Sequence, residues 1–93
     1  MRWYRFVSHG KVQGVYYRKF VADAMRKAGF QGYVRNLPDG TVETVVFLHD
    51  EDEEMPTVTE ILKKGSPLSR VERIDVEPVD DITVESDGFT IRY

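Results

Sequence analysis

The stretch Gly10-Lys11-Val12-Gln13-Gly14-Val15-Tyr16-Tyr17-Arg18 has the residue types and spacing from which an anion site can be built. Two glycines four positions apart suit a turn between a strand and a helix. A helix start exposes backbone N–H groups that no helix carbonyl can satisfy, at the positive end of the helix dipole. An arginine there adds a planar guanidinium able to grip a phosphate with two parallel hydrogen bonds. Taken singly, Gly10 and Gly14 are also what a plain strand–helix connection needs, and Arg18 is also an ordinary surface residue. Together they point to an anion. A second polar group, Asn36, ends another strand-like run; by spacing alone it reads as a turn residue that hydrogen-bonds its own backbone.

Positioning these groups is the work of the flanking elements. Residues 3–9 are aromatic and β-branched, as a strand requires. Tyr4, Phe6 and Ser8 share one face and Trp3, Val7 and His9 the other; apolar groups on both faces predict a central strand. Tyr17, Phe20, Val21, Ala24, Met25 and Ala28 recur at helical spacing, predicting an amphipathic helix over 17–28 that ends at Gly29. Phe30–Asn36 and Thr41–Leu48, joined by Leu37-Pro38-Asp39-Gly40, predict a β-hairpin. The acidic run His49–Glu54 suits a loop and the first turn of a second helix, with Met55, Val58, Ile61 and Leu62 as its apolar stripe. Two exact starts are open: Pro56 as the first helical residue, or a capping box from Thr57 and Glu60. Gly65-Ser66-Pro67 stops this helix. Residues 70–79 alternate as a strand with one wet face and an irregularity near Glu72-Arg73. A polar link containing Ile82 and Val84 leads to a last short strand, Phe89–Tyr93.

The resulting order, β-α-β-β-α-β plus a short C-terminal strand, predicts an α+β fold: a ferredoxin-like split βαβ sandwich with two helices on one face of a mostly antiparallel sheet. A chain of 93 residues that is 41% hydrophobic is expected to form a single domain over 1–93. With no cysteine, a disulfide, a cysteine nucleophile and cysteine metal ligands are excluded. A net charge of −3 argues against a nucleic-acid partner. No apolar run approaches the ~20 residues of a membrane span, and no signal core follows Met1, so a cytoplasmic protein without membrane association is expected. His9 is expected in a packing or surface role rather than as a base. The spacing of His49–Glu54 matches no calcium loop, so the run is expected to be a solvated helix start.

Gly10-Lys11-Val12-Gln13-Gly14-Val15 followed by Tyr17-Arg18 resembles the first signature of the acylphosphatase family, G-x-V-Q-G-V-x-aromatic-R. Gly32-Tyr33-Val34-Arg35-Asn36 with Gly40-Thr41-Val42 resembles the second. Gly65-Ser66-Pro67 and the ending Phe89-Thr90-Ile91-Arg92-Tyr93 are also similar to typical members, so the likeness spans nearly the whole chain. Four positions depart from the pattern. Ser8 stands where an aliphatic residue is usual, Tyr17 where phenylalanine is usual, Tyr16 where a small residue is common, and Leu48 where a glycine often closes the second signature.

The resemblance implies metal-independent hydrolysis of acyl phosphates to a carboxylate and inorganic phosphate, with no cofactor. It implies that the backbone of Lys11, Val12, Gln13, Gly14, Val15, Tyr16 and Tyr17 cradles the phosphoryl oxygens, that Arg18 grips them, and that Asn36 holds the attacking water. The partners are then the small-molecule substrate and its phosphate product, and a monomer is expected. Two other functions compete. A non-catalytic phosphate- or carbamoyl-phosphate-binding module would share the fold; Asn36, and a chain that ends with its domain, favour the enzyme. An RNA-binding sheet would need aromatics within a basic surface, against which the acidic balance counts.

Overall fold

The computed structural model describes residues 1–80, 82 and 87–93. Its elements are β1 (Arg2–Lys11), α1 (Tyr17–Ala28), β2 (Gln31–Asn36), β3 (Val42–Leu48), α2 (Glu51–Lys64), β4 (Arg70–Val79) and β5 (Phe89–Arg92). The sheet runs β4-β1-β3-β2-β5. All pairings are antiparallel except β2 with β5, which is parallel. Both helices lie on one face: α1 packs on β2 and β5, α2 on β3 and β4. This is the expected ferredoxin-like α+β arrangement. Val84 of the polar link lies outside the described residues.

Register explains the core. Ser8 pairs with Val42, Phe6 with Thr44 and Tyr4 with Val46, so these side chains share the helix face. All six are buried, together with Val34, Leu48, Val21, Met25, Val58 and Leu62. Strand β1 has hydrogen-bonded neighbours on both sides, as a central strand should. Its second face is nevertheless open: Trp3 is only half-buried and stacks edge-on against Phe47, with ring centres 5.1 Å apart. The expected irregularity in β4 is a bulge. His9 pairs with Arg73 but Gly10 pairs with Val71, leaving Glu72 as the extra residue. Gly10 is required there, because at φ 126 a Cβ would lie 2.2 Å from the Arg70 carbonyl oxygen.

Two expectations about the helices need correction. The buried face of α1 is Tyr17, Val21, Ala22 and Met25, whereas Phe20 is 43% exposed and Ala28 is exposed. The stripe keeps Tyr17, Val21 and Met25, loses Phe20 and Ala28, and gains Ala22. Helix α2 begins at neither Pro56 nor a Thr57–Glu60 capping box. Asp50 is its N-cap, accepting from the N–H groups of Asp52 and Glu53, while Glu54 Oε1 accepts from those of His49 and Asp50. The acidic run thus caps its own helix, and Pro56 falls inside it. Those bonds and the dipole outweigh the one backbone bond Pro56 forgoes. His9 lies on the open sheet face, bonded to Asp75 at 2.9 Å.

Candidate active site

The loop 12–16 carries the chain from the end of β1 to the start of α1 over the end of the sheet where β2 finishes. Val12 and Val15 plug into the core, 1% and 5% exposed. Between them and after them the backbone is left-handed at Gly14 (φ 72) and Tyr16 (φ 63). Tyr16 is the one non-glycine residue with positive φ among the described residues. It occupies the N-cap of α1 but makes no side-chain capping bond, and the first turn holds no acidic residue. The first backbone bond of the helix is from Phe20 N–H to the Tyr16 carbonyl. The N–H groups of the turn before it therefore have no intrahelical acceptor, and the dipole adds positive potential there.

Three anchors hold this loop. Ser66 Oγ donates to the Val15 carbonyl at 2.6 Å. Gln13 Nε2 donates to the carbonyls of Leu37 and Thr41, each at 2.8 Å. Tyr17 is 1% exposed; its hydroxyl donates to the Leu62 carbonyl at 2.7 Å and lies 3.0 Å from Ser8 Oγ. Burial pushes the Tyr17 phenol up to about 12. The two departures at Ser8 and Tyr17 are therefore one compensated feature: the extra phenolic oxygen meets an extra hydroxyl. Gly65 makes room for this ring, since a Cβ there would lie 2.5 Å from Tyr17 Cε1.

Beneath the loop is a cavity of about 620 Å³, lined by Val12, Gly14, Tyr16, Tyr17, Arg18, Lys19, Asn36, Ile91 and Tyr93. Arg18 and Asn36, far apart in the chain, meet here. Arg18 Nη1 donates to the Arg92 carbonyl at 3.2 Å, and its guanidinium carbon is 4.8 Å from the centre of the Tyr93 ring. The guanidinium is thus steadied from the β5 side while its other donors stay available. Asn36 Oδ1 is buried without a hydrogen-bond partner among the described residues, a costly arrangement for an amide that serves only as a turn residue.

Of the expected site residues, Val12, Gly14, Tyr16, Tyr17, Arg18 and Asn36 come together around the cavity. Lys11, Gln13 and Val15 do not line it; Lys11 is the exposed last residue of β1 and pairs with Arg70. Lys19, Ile91 and Tyr93 line it without having been expected to. Lys19 was legible only as a residue of the first helical turn, and nothing in the spacing ties the last strand to the loop.

Behind Asn36 the open face of the sheet is pinned by Glu43, 4% exposed, which accepts from Arg5 and, at 2.7 Å, from Arg35. Burial alone would raise its pKa, but the bonds from the two arginines prevail and hold the carboxyl below its ordinary value.

Comparison with known proteins agrees with this geometry. The Acylphosphatase family model matches residues 4–91. The chain is 38% identical over 92 residues to the acylphosphatase of Caldivirga maquilingensis, covering 96% of this chain and 92% of that one. It superposes on the crystal structure of acylphosphatase from Bacillus subtilis with a TM-score of 0.85 at 33% identity, all of both chains being covered. It also superposes on T. kodakarensis HypF with a TM-score of 0.81 at 32% identity, over all of this chain but 12% of that one. A family model over residues 4–91, similarity to acylphosphatases along the full length, and two signatures whose Arg18 and Asn36 meet at one cavity place this chain in the acylphosphatase family.

Proposed function

We propose that the family's reaction, hydrolysis of an acyl phosphate to a carboxylate and inorganic phosphate, takes place in this cavity, with Arg18 and Asn36 as its catalytic residues. The phosphoryl oxygens accept from the N–H groups of the 12–18 backbone and from the Arg18 guanidinium. A water hydrogen-bonded to Asn36 attacks phosphorus. The bond between phosphorus and the bridging oxygen breaks, and its electron pair leaves on the carboxylate.

A carboxylate is a good leaving group, so the remaining demand is to position the water and to stabilise charge on the phosphoryl oxygens. Fixed donors meet that demand. A neutral amide is no base, but it orients a water by accepting and donating. Among the described residues the cavity lining includes no carboxylate side chain and no histidine. In this proposal the water's proton therefore passes to a phosphoryl oxygen.

The observation that carries the proposal is the Oδ1 of Asn36, buried without a partner among the described residues, in the same cavity as Arg18. The test is hydrolysis of benzoyl phosphate in excess EDTA. Arg18→Ala and Asn36→Ala should each lower turnover by about a hundredfold, the usual cost of losing one preorganised donor, ~3 kcal/mol. Full activity in either variant refutes the assignment of that residue. The likeness to one-eighth of HypF makes the non-catalytic module the second reading; tight phosphate binding without turnover in the unaltered protein would establish it.

A further inference from the structure

We propose that Gln13 is a positioning residue that sets the distance between the two halves of the site, the phosphate-binding loop and the strand end bearing Asn36. This rests on the site assigned above. The Gln13 side chain does not line the cavity, whereas both neighbours, Val12 and Gly14, do. It turns instead toward the β2–β3 connection and donates to Leu37 O and Thr41 O at 2.8 Å each. Both partners are carbonyls, so only the NH2 group of the amide can face them, and both of its hydrogens are used. Leu37 follows Asn36 directly. One amide group thus ties the middle of the loop to the peptide next to the residue that holds the water.

The turn does not depend on this clamp for its own shape. Gly40 N–H donates to Leu37 O at 3.2 Å and Leu37 N–H to Thr41 O at 2.9 Å. Asp39 closes it further by accepting from the Thr41 N–H and hydroxyl. Each carbonyl that Gln13 reaches keeps a backbone donor without it. On its other side the loop keeps the buried valines and the Ser66 bond. Loss of the Gln13 amide should therefore leave two intact halves whose separation is no longer fixed. Phosphate binding, which needs the loop and Arg18, should survive; the alignment of the water with phosphorus should not.

The experiment is steady-state hydrolysis of benzoyl phosphate by Gln13→Met, which matches the side chain in length but has no donor. Gln13→Asn, which keeps the amide but falls one methylene short, is the second variant in case the first folds poorly. Each is made alone and in the Asn36→Ala background, with inhibition by inorganic phosphate and the urea midpoint as companion readouts. In the otherwise unaltered protein kcat should fall on the order of ten- to a hundredfold, the scale of effect of a small misplacement. The phosphate inhibition constant should stay within about twofold, and in the Asn36→Ala background no further fall in kcat should appear. Unchanged kcat, or an equal fall in both backgrounds, overturns the inference. If Asn36→Ala alone turns over normally, the site assignment itself fails and this inference fails with it. If Asn36→Ala is impaired and the Gln13 variants are not, only the inference falls.

Discussion

Replacing Tyr17 by phenylalanine removes one oxygen and leaves two buried groups without a partner. Leu62 lies in the last turn of α2, where helix carbonyls lack an intrahelical N–H donor. The N–H four residues on, at Ser66, is bonded to Ser69 Oγ instead. The Tyr17 hydroxyl is thus the partner of Leu62 O, and the fully buried Ser8 hydroxyl is hydrogen-bonded to Tyr17. Unpaired buried polar groups cost ~1–3 kcal/mol each, so Tyr17→Phe should destabilise by about 2–4 kcal/mol. Ser8→Ala, which leaves the Tyr17–Leu62 bond in place, should lose only about 1 kcal/mol. The double variant removes the Ser8 orphan as well and leaves only that of Leu62, so the two single costs should exceed the double by about 2–3 kcal/mol.

Urea denaturation of all four proteins measures this. A second readout is pH. The folded-state pKa of Tyr17 is raised from 10.0 to about 12, so stability is intact below pH 10 and falls as pH rises toward 12. At ~1.4 kcal/mol per pH unit the loss from this group reaches about 2.7 kcal/mol. Tyr17→Phe should lack that component of the alkaline decline. Strict additivity in the cycle, or the same alkaline slope in Tyr17→Phe as in the unaltered protein, would refute the reasoning. Turnover should persist in Tyr17→Phe, since the backbone N–H at that position remains.

Three further outcomes are expected. Tyr16→Gly should stabilise slightly, by about 0.5 kcal/mol in urea, because relief of ~1–2 kcal/mol of left-handed strain exceeds the entropy glycine adds to the unfolded chain; a clear loss would mean that the exposed ring packs on its neighbours. Inorganic phosphate at a hundred times its dissociation constant should stabilise the protein by about 2.7 kcal/mol, and Arg18→Ala should abolish most of that shift at the same concentration. Asp50→Ala should cost α2 about 1 kcal/mol as a lost N-cap, read as a lower urea midpoint with turnover unchanged.

Much of the fold was legible because its signals are local. The 17–28 helix, the 30–48 hairpin and the alternation of β4 rest on periodicity and turn residues within a few positions of each other. The failures come where two local signals compete or where the deciding partner is remote. Pro56 and Thr57 each look like a helix start, but Asp50 has the better geometry because Asp52, Glu53 and Glu54 follow it. Phe20 fits the apolar stripe by spacing, and only the placement of α1 over β2 and β5 leaves it exposed. The site shows the same division. The loop and Arg18 are contiguous and could be read as an anion site, whereas Asn36 is by spacing an ordinary turn residue. Its role depends on being buried without a partner, which is a property of the assembled structure. The side-chain role of Gln13 depends on carbonyls more than twenty residues away, and backbone carbonyls leave no mark on residue type.

The two helix starts of this fold are treated in opposite ways, and the contrast bears on where the substrate's charge goes. Helix α2 opens with an aspartate cap and Glu51, Asp52, Glu53 and Glu54 in its first turn. Its positive end is neutralised by its own sequence, and no ligand is needed there. Helix α1 opens with an uncapped tyrosine in a left-handed conformation, and its first turn carries Arg18 and Lys19 with no acid. Cations at that end are unfavourable by themselves. Lys19 is relieved by Asp23 one turn on, at 3.0 Å; among the described residues Arg18 meets a carbonyl and an aromatic face, which steady it without cancelling its charge. The fold therefore leaves positive potential uncompensated at α1 alone, in the cavity where Asn36 Oδ1 is also unmatched. In the proposed site, a doubly negative phosphoryl group with a water beside it would meet both deficits at once. Donors fixed before the substrate arrives need little reorganisation as charge shifts in the transition state, so the proposed site asks for no carboxylate or imidazole side chain, and its described lining has neither.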